Sequence, residues 1–200
     1  MTKQQLNIGL IGYAIMCMEM GMCSAAAISY GDNPLTGKRT FYSRPRGEEA
    51  AYGFFGAPLA YAMAARRHMT EFGTTSEQLG HIAVNARANA SLNSNAQFKD
   101  PITLEEHQAS RFVAEPFHLL DCCPVSDGGA AIVVTSAERA RNLKKKPAYV
   151  LGLGQGHPSW DLQHRETVTT SGAAISGKMA FEMAGLGPRD MQFAQLYDCF

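Results

Sequence analysis

The run Ala130-Ala131-Ile132-Val133-Val134-Thr135 constrains this chain more than any other feature. A continuous stretch of small and β-branched residues, with neither helical periodicity nor alternation, suits a strand covered on both faces near the middle of a sheet. Such a strand needs layers above and below it, and its neighbours supply them. Ser136 is placed to cap a helix that Glu138 opens and Lys144-Lys145-Lys146 closes, charges that complement the helix dipole, and Pro147 stops it. Tyr149 to Leu153 then reads as a strand, Gly172 to Ala184 as a helix ended by Gly185, and Met191 to Leu196 as a strand arriving at Tyr197-Asp198-Cys199-Phe200. Strands separated by helices indicate an α/β fold.

The first third of the chain supports the same class. Residues 7 to 29 are rich in Gly, Ala and Met and nearly uncharged, reading as a buried helix that runs into a strand from Ser24 to Tyr30. Gly31-Asp32-Asn33-Pro34 forms a breaking turn. From Leu35 to Gly47 the chain is a basic loop, with Lys38, Arg39, Arg44 and Arg46 around Phe41 and Tyr42. Glu48 to Phe72 supports a long helix, kinked or restarted at Gly56-Ala57-Pro58 and stopped at Gly73. Thr75-Ser76-Glu77-Gln78 has the form of a capping box for a helix to about Leu92, and Thr103-Leu104-Glu105-Glu106 repeats it for a short helix to Ser110. These helices resemble an insertion. The apolar block near Asn7 begins without the strand such a helix packs upon, and Phe200 follows directly on an apolar strand, so a larger fold is expected to continue at both ends.

Composition excludes several classes. Of 200 residues 46% are hydrophobic and 18% charged, which is ordinary for a globular domain. The 18 Lys and Arg balance 18 Asp and Glu, so no global field draws the chain to nucleic acid or to an anionic membrane. No apolar run approaches the ~20 residues that span a bilayer, and Met1-Thr2-Lys3-Gln4-Gln5 lacks the order of a signal peptide. A cytoplasmic protein is expected. Five cysteines, two of them adjacent, suit thiols better than a disulfide framework, and the six histidines never fall in HxxxH or HExxH spacing, so no metal site is expected.

Three segments can carry chemistry. Asp121-Cys122-Cys123-Pro124-Val125-Ser126-Asp127-Gly128-Gly129 precedes the apolar strand. Its local chemistry favours a loop-to-strand turn with buried thiols over a nucleophilic cysteine, which needs a base that spacing does not supply. Tyr197 stands where open α/β sheets present ligand-contacting groups; its hydroxyl can steady an oxyanion or exchange a proton, or its ring can simply fill a core. Gly152-Leu153-Gly154-Gln155-Gly156-His157-Pro158 reads as a glycine-rich turn without a nucleotide-binding spacing.

Together the Cys-Pro-Val-Ser-Asp-Gly-Gly-Ala-Ala-Ile-Val-Val run, the Gly-Leu-Gly turn, Ser171-Gly172-Ala173-Ala174 opening a helix, and Gln195-Leu196-Tyr197-Asp198-Cys199-Phe200 resemble the thiolase superfamily, nearest to its sterol-carrier-protein or lipid-transfer-protein branch. The resemblance implies two similar α/β halves stacked as an αβαβα layered fold, here incomplete, and a homodimer. It places residues 1–146 in the amino-terminal half, with a helical loop insertion at about 35–120, and residues 147–200 at the start of the carboxy-terminal half. It implies a coenzyme A thioester as substrate, and it makes Lys38, Arg39, Arg44 and Arg46 candidates for the coenzyme A phosphates, although a solvated loop explains any one of them.

The catalytic pattern departs from that of thiolases. Their nucleophilic cysteine aligns at about Lys3, Cys17 and Cys23 lie too far along to replace it, and the activating His and second Cys of thiolases align after Phe200. His157-Pro158 imitates the Gly-His-Pro loop in letters only. Where other branches carry Asn or His, this chain has Tyr197, which is similar to steroid side-chain aldolases of the lipid-transfer-protein type. That similarity makes Tyr197 the acid/base or oxyanion-contact residue and Asp198 its orienter. Thiolysis and retro-aldol cleavage both remain open for a carbon–carbon bond β to the thioester. A small zinc-ribbon/OB-fold partner is implied as well. The competing reading is a catalytically incomplete chain that serves as a structural or partner subunit.

Overall fold

A computed structural model of the chain describes residues 3–37, 48–53, 56–159, 164–197 and 200. The chain divides into two compact units, residues 1–37 with 126–195, and residues 38–125 with 196–200.

In the first unit, helix α1 (Lys3–Glu19) ends in a left-handed Gly21 (φ 71°), and Met22 N–H returns to the Cys17 carbonyl at 2.9 Å, closing the last turn. Strand β1 (Ala25–Asp32) pairs antiparallel with a later strand, Gly128–Thr135, in unbroken register from Ala25 opposite Thr135 to Asp32 opposite Gly128. Burial alternates along β1, with Ile28 buried, and α1 packs on this pair with Ala14 buried. The register puts Ile132 on the Ile28 face and Val133 on the opposite one, where Val133 is 72% exposed. The expectation of a strand covered on both faces is therefore corrected: among the described residues the ladder of β1 with Gly128–Thr135 is two-stranded and one of its faces is open.

Thr135, at the end of that strand, donates its hydroxyl to the Ser24 carbonyl at 2.9 Å. Ser136 then caps a helix, accepting the Arg139 N–H at 3.3 Å, but the helix is only Ala137–Arg141 long. It stops before Lys144-Lys145-Lys146, where the restriction that Pro147 places on its predecessor opposes a further turn. The last helix of the chain, Ala173–Ala184, ends as expected at a left-handed Gly185 (φ 66°).

The segment expected as a strand at 149–153 is extended but unpaired among the described residues. It continues through Gly156 instead of turning at Gly152. Gly152, Gly154 and Gly156, on one face of the extended chain, abut the backbone at Ala180, Ser176 and Gly172. Two extended residues advance about 6.7 Å and four helical residues about 6 Å, so the alternate glycines stay in step with successive turns of the helix, running the other way. On the opposite face, the positions a side chain would take on Gly9 and Gly12 of α1 meet Gln155 and Leu153. The glycine-rich segment is thus a layer between two helices, and a side chain on its glycine face would hold it off. The segment expected as a strand at 191–196 is likewise not paired. Extended conformation is a local preference; a ladder needs a partner that local sequence does not name.

In the second unit, a single 3₁₀ turn (Glu48–Tyr52) precedes α2 (Ala57–Phe72), which starts at Gly56 with Pro58 in its first turn and stops at Gly73 (φ 70°). The expected kink at 56–58 is thus a restart. Both capping boxes form: Gln78 N–H to Thr75 Oγ1 at 3.3 Å opens α3 (Ser76–Ser91), and Glu106 N–H to Thr103 Oγ1 at 3.1 Å opens α4 (Leu104–Ala109). A hairpin that the sequence did not announce follows, β2 (Phe112–Ala114) with β3 (Phe117–His118). With these, Gly128–Thr135 is β4, and Ala137–Arg141 and Ala173–Ala184 are α5 and α6. The core of this unit is Ala62, Ala114 and Phe117, with Leu59, Ala65, Leu79, Cys122 and Phe200 packed against it.

Candidate active site

Tyr197 lies in the second unit, 57% exposed, on a short segment whose far end is fastened. Phe200 supplies the fastening: its ring stacks on Phe117 (centroids 5.4 Å apart, 26° between planes) and meets Tyr61 (4.9 Å, 33°). A strand-end aromatic therefore does pack against the core, but it is Phe200, and Tyr197 is the more exposed residue. Asp198 lies outside the described residues, as do Lys38, Arg39, Arg44 and Arg46.

The Asp121-to-Gly129 segment separates into two functions. Asp127 reaches back across 91 residues of sequence to hold Leu35 and Thr36, whose N–H groups donate to its carboxylate at 2.8 Å and 3.2 Å. The Thr36 hydroxyl above all, with these backbone donors, holds the Asp127 carboxyl below the usual aspartate value against an opposing desolvation. Gly128 and Gly129 are not a turn: they are the first residues of β4, where Gly129 lies against the backbone of Tyr30 and Gly31. The nearby thiols Cys122 and Cys123 belong to no disulfide. Cys122 Sγ donates to the His118 carbonyl at 3.4 Å, an arrangement that uses the thiol as a packed donor.

Sequence reasoning missed a buried network beside these cysteines. Asp121, with a side chain 4% exposed, receives the His118 backbone N–H on Oδ2 at 2.7 Å and faces the fully buried His107 across 2.7 Å from Oδ1. His107 Nδ1 receives an N–H of Gln108 at 3.2 Å, which leaves Nε2 as the protonated nitrogen and the donor to Asp121. His118 Nδ1 bonds the Ser110 carbonyl at 2.6 Å. Gly80 of α3 makes room for this: a Cβ there would stand 2.8 Å from His107 Nδ1. The signal that could have found part of it is the spacing of His118 and Asp121, in which a carboxylate returns to the backbone N–H three residues before it, as in a capping box.

Among the described residues no group of three or more His, Cys, Asp or Glu is placed to hold a metal ion. No described helix is long and apolar enough to cross a membrane. A cleft of about 310 Å³ lies in the second unit, walled by Arg66, Thr74, Ser76, Phe112 and Glu115, with Arg66 paired to Glu115 at 2.6 Å. Tyr197 is not among the residues of its wall.

The family described as thiolase C-terminal domain-like matches residues 154–200. A steroid side-chain-cleaving aldolase of Thermomonospora curvata is 46% identical over 145 residues, covering 70% of this chain and 37% of the relative. An acetyl-CoA acetyltransferase of Methanothermobacter thermautotrophicus is 42% identical, covering 72% of this chain and 38% of the relative. Among solved structures, an Ltp2-ChsH2(DUF35) aldolase superposes with a TM-score of 0.79 at 36% identity, over 93% of this chain and 51% of that one. An SCP2-thiolase-like protein of Mycobacterium smegmatis, 21% identical, superposes with a TM-score of 0.71 over 94% of this chain and 43% of that one, and shows the fold. The chain thus spans little more than a third of the length of these two relatives.

Proposed function

Because the chain belongs to the thiolase superfamily, in its sterol-carrier-protein thiolase-like branch, we propose that it takes part in cleaving the carbon–carbon bond β to a coenzyme A thioester, by retro-aldol chemistry. The observation that carries this reading is Tyr197, 57% exposed and three residues from Phe200, which packs against the core cluster and stacks on Phe117. Two of the relatives are aldolases, and an aldolase needs no acyl-enzyme: no cysteine nucleophile is called for, and Cys122 is engaged as a packed donor.

In the proposed step, Tyr197 as phenolate takes the proton of the substrate's β-hydroxyl. The electron pair left on that oxygen forms a carbonyl at Cβ as the Cα–Cβ bond breaks. The bonding pair passes into the thioester as an enolate, which takes up a proton from water at Cα to leave a shortened acyl-CoA, while the Tyr197 phenol gives its proton back to water and returns to phenolate. Asp198 orients the phenol in this reading, and Lys38, Arg39, Arg44 and Arg46 meet the coenzyme A phosphates. Residues 1–146 serve as the amino-terminal half of the fold and residues 147–200 begin the other. The working state is a cytoplasmic homodimer assisted by a small zinc-ribbon/OB-fold protein, a partner in keeping with the DUF35 component named for the solved aldolase.

The test is turnover by the full chain on a β-hydroxyacyl-CoA whose β-carbon belongs to a steroid ring, with acetoacetyl-CoA plus free coenzyme A as the thiolysis probe. Cleavage of the first is expected, and Tyr197→Phe is expected to lower its kcat by about 10²–10⁴-fold. Equal rates for Tyr197→Phe and the parent, or thiolysis as the faster reaction, would overturn the reading. No turnover of either thioester would favour the partner-subunit role.

A further inference from the structure

The buried His107–Asp121–His118 network has no part in the proposed reaction, yet it adjoins Phe117 and Cys122, which belong with the core cluster that Phe200 packs against. Each carboxylate oxygen of Asp121 has its own buried donor, and together these clamp the single 3₁₀ turn Leu119–Asp121. Phe117 lies on the entry side of that turn, 4% exposed, and Cys122 follows it. The Cys122 thiol, bonded to the His118 carbonyl, ties exit to entry. Phe200 packs against the cluster that both side chains share, and its ring stacks on Phe117. Three residues of chain reach at most about 10 Å, so fixing Phe200 confines Tyr197 to a short leash from this seat.

We propose that the clamped turn is a positioning element for Tyr197: Asp121 holds Phe117 and Cys122 as a seat, Phe200 docks there, and the docking sets where the phenol stands. This rests on the reading of Tyr197 given above. A network serving only the stability of the second unit would have no influence on catalysis beyond the amount of folded protein. A positioning network acts through one group, and its effect vanishes when that group is removed.

The test uses Phe117→Leu and Phe200→Leu in the full chain, each in the parent and in the Tyr197→Phe background, with the steroid β-hydroxyacyl-CoA as probe. Each leucine variant is expected to lower kcat about tenfold, the scale of one or two lost aromatic pairs, with KM within about twofold. In the Tyr197→Phe background the same substitutions are expected to lower kcat by less than about twofold. Equal losses in both backgrounds would overturn the proposal. Amide hydrogen exchange of the 196–200 segment tests the seat without turnover. It is expected to quicken about tenfold in Phe117→Leu and in Asp121→Asn, with the amides of α6 unchanged, and an unaltered 196–200 segment would overturn the docking itself. Tyr197→Phe without effect on kcat, alongside quickened exchange, would refute the role of Tyr197 and leave the seat standing.

Discussion

Replacing Gly154 by alanine adds one methyl group, and the structure places that methyl against the backbone of α6. The new Cβ would stand 2.8 Å from the Ser176 carbonyl carbon and 3.0 Å from Met179 Cβ, where ordinary contact begins at 3.4 Å, and nearest of all to the Ser176 carbonyl oxygen. Backbone cannot swing aside as a side-chain tip can, so α6 must retreat by more than half an ångström. A gap of about 0.5–1 Å forfeits a quarter to a half of each dispersion contact, and the retreat loosens Gly152 on Ala180 and Gly156 on Gly172 together. Overpacking of this kind costs about 1–3 kcal/mol, offset by about 0.4–1 kcal/mol because alanine restricts the unfolded chain. A net loss of about 1–2 kcal/mol is expected from urea unfolding followed by circular dichroism, with faster amide exchange along α6. Gly177→Ala is the control: it lies inside the same helix with nothing within 4 Å of its added Cβ, and it is expected to gain about 1 kcal/mol from helix propensity alone. If Gly154→Ala were neutral or stabilising while Gly177→Ala behaved as expected, the close-packed layer at 152–156 would be refuted.

Other expectations follow from single interactions. The folded-state value of the Asp127 carboxyl lies below its ordinary value of 3.8, so its stabilising effect is present above that pH and fades as pH falls through the folded value. The stability difference between the parent and Asp127→Asn should therefore hold level at pH well above 3.8 and shrink as pH falls below it; a difference independent of pH would refute the clamp on Leu35 and Thr36. Thr103→Ala removes the acceptor for the Glu106 N–H and should cost about 1 kcal/mol, visible as faster exchange at the Glu106 amide. Unchanged exchange at that amide would show that the cap contributes nothing.

The sequence by itself determined what depends on neighbours within four residues. Thr75 and Thr103 cap helices because Gln78 and Glu106 stand three places on, and Gly73 and Gly185 end helices because they alone adopt the left-handed turn without strain. The hydrophobic run of β4 announced a strand, and the Tyr-Asp-Cys-Phe ending announced a family, since both are written in consecutive residues. Tertiary structure decided everything that needs a distant partner. It alone paired β4 with β1, laid Gly152, Gly154 and Gly156 flat on α6, carried the Asp127 carboxylate to Leu35, and buried Asp121 beside His107. Periodicity and propensity report how a residue prefers to bend and whether it prefers to be covered; which other segment covers it is settled by close packing, and close packing is a property of the whole unit.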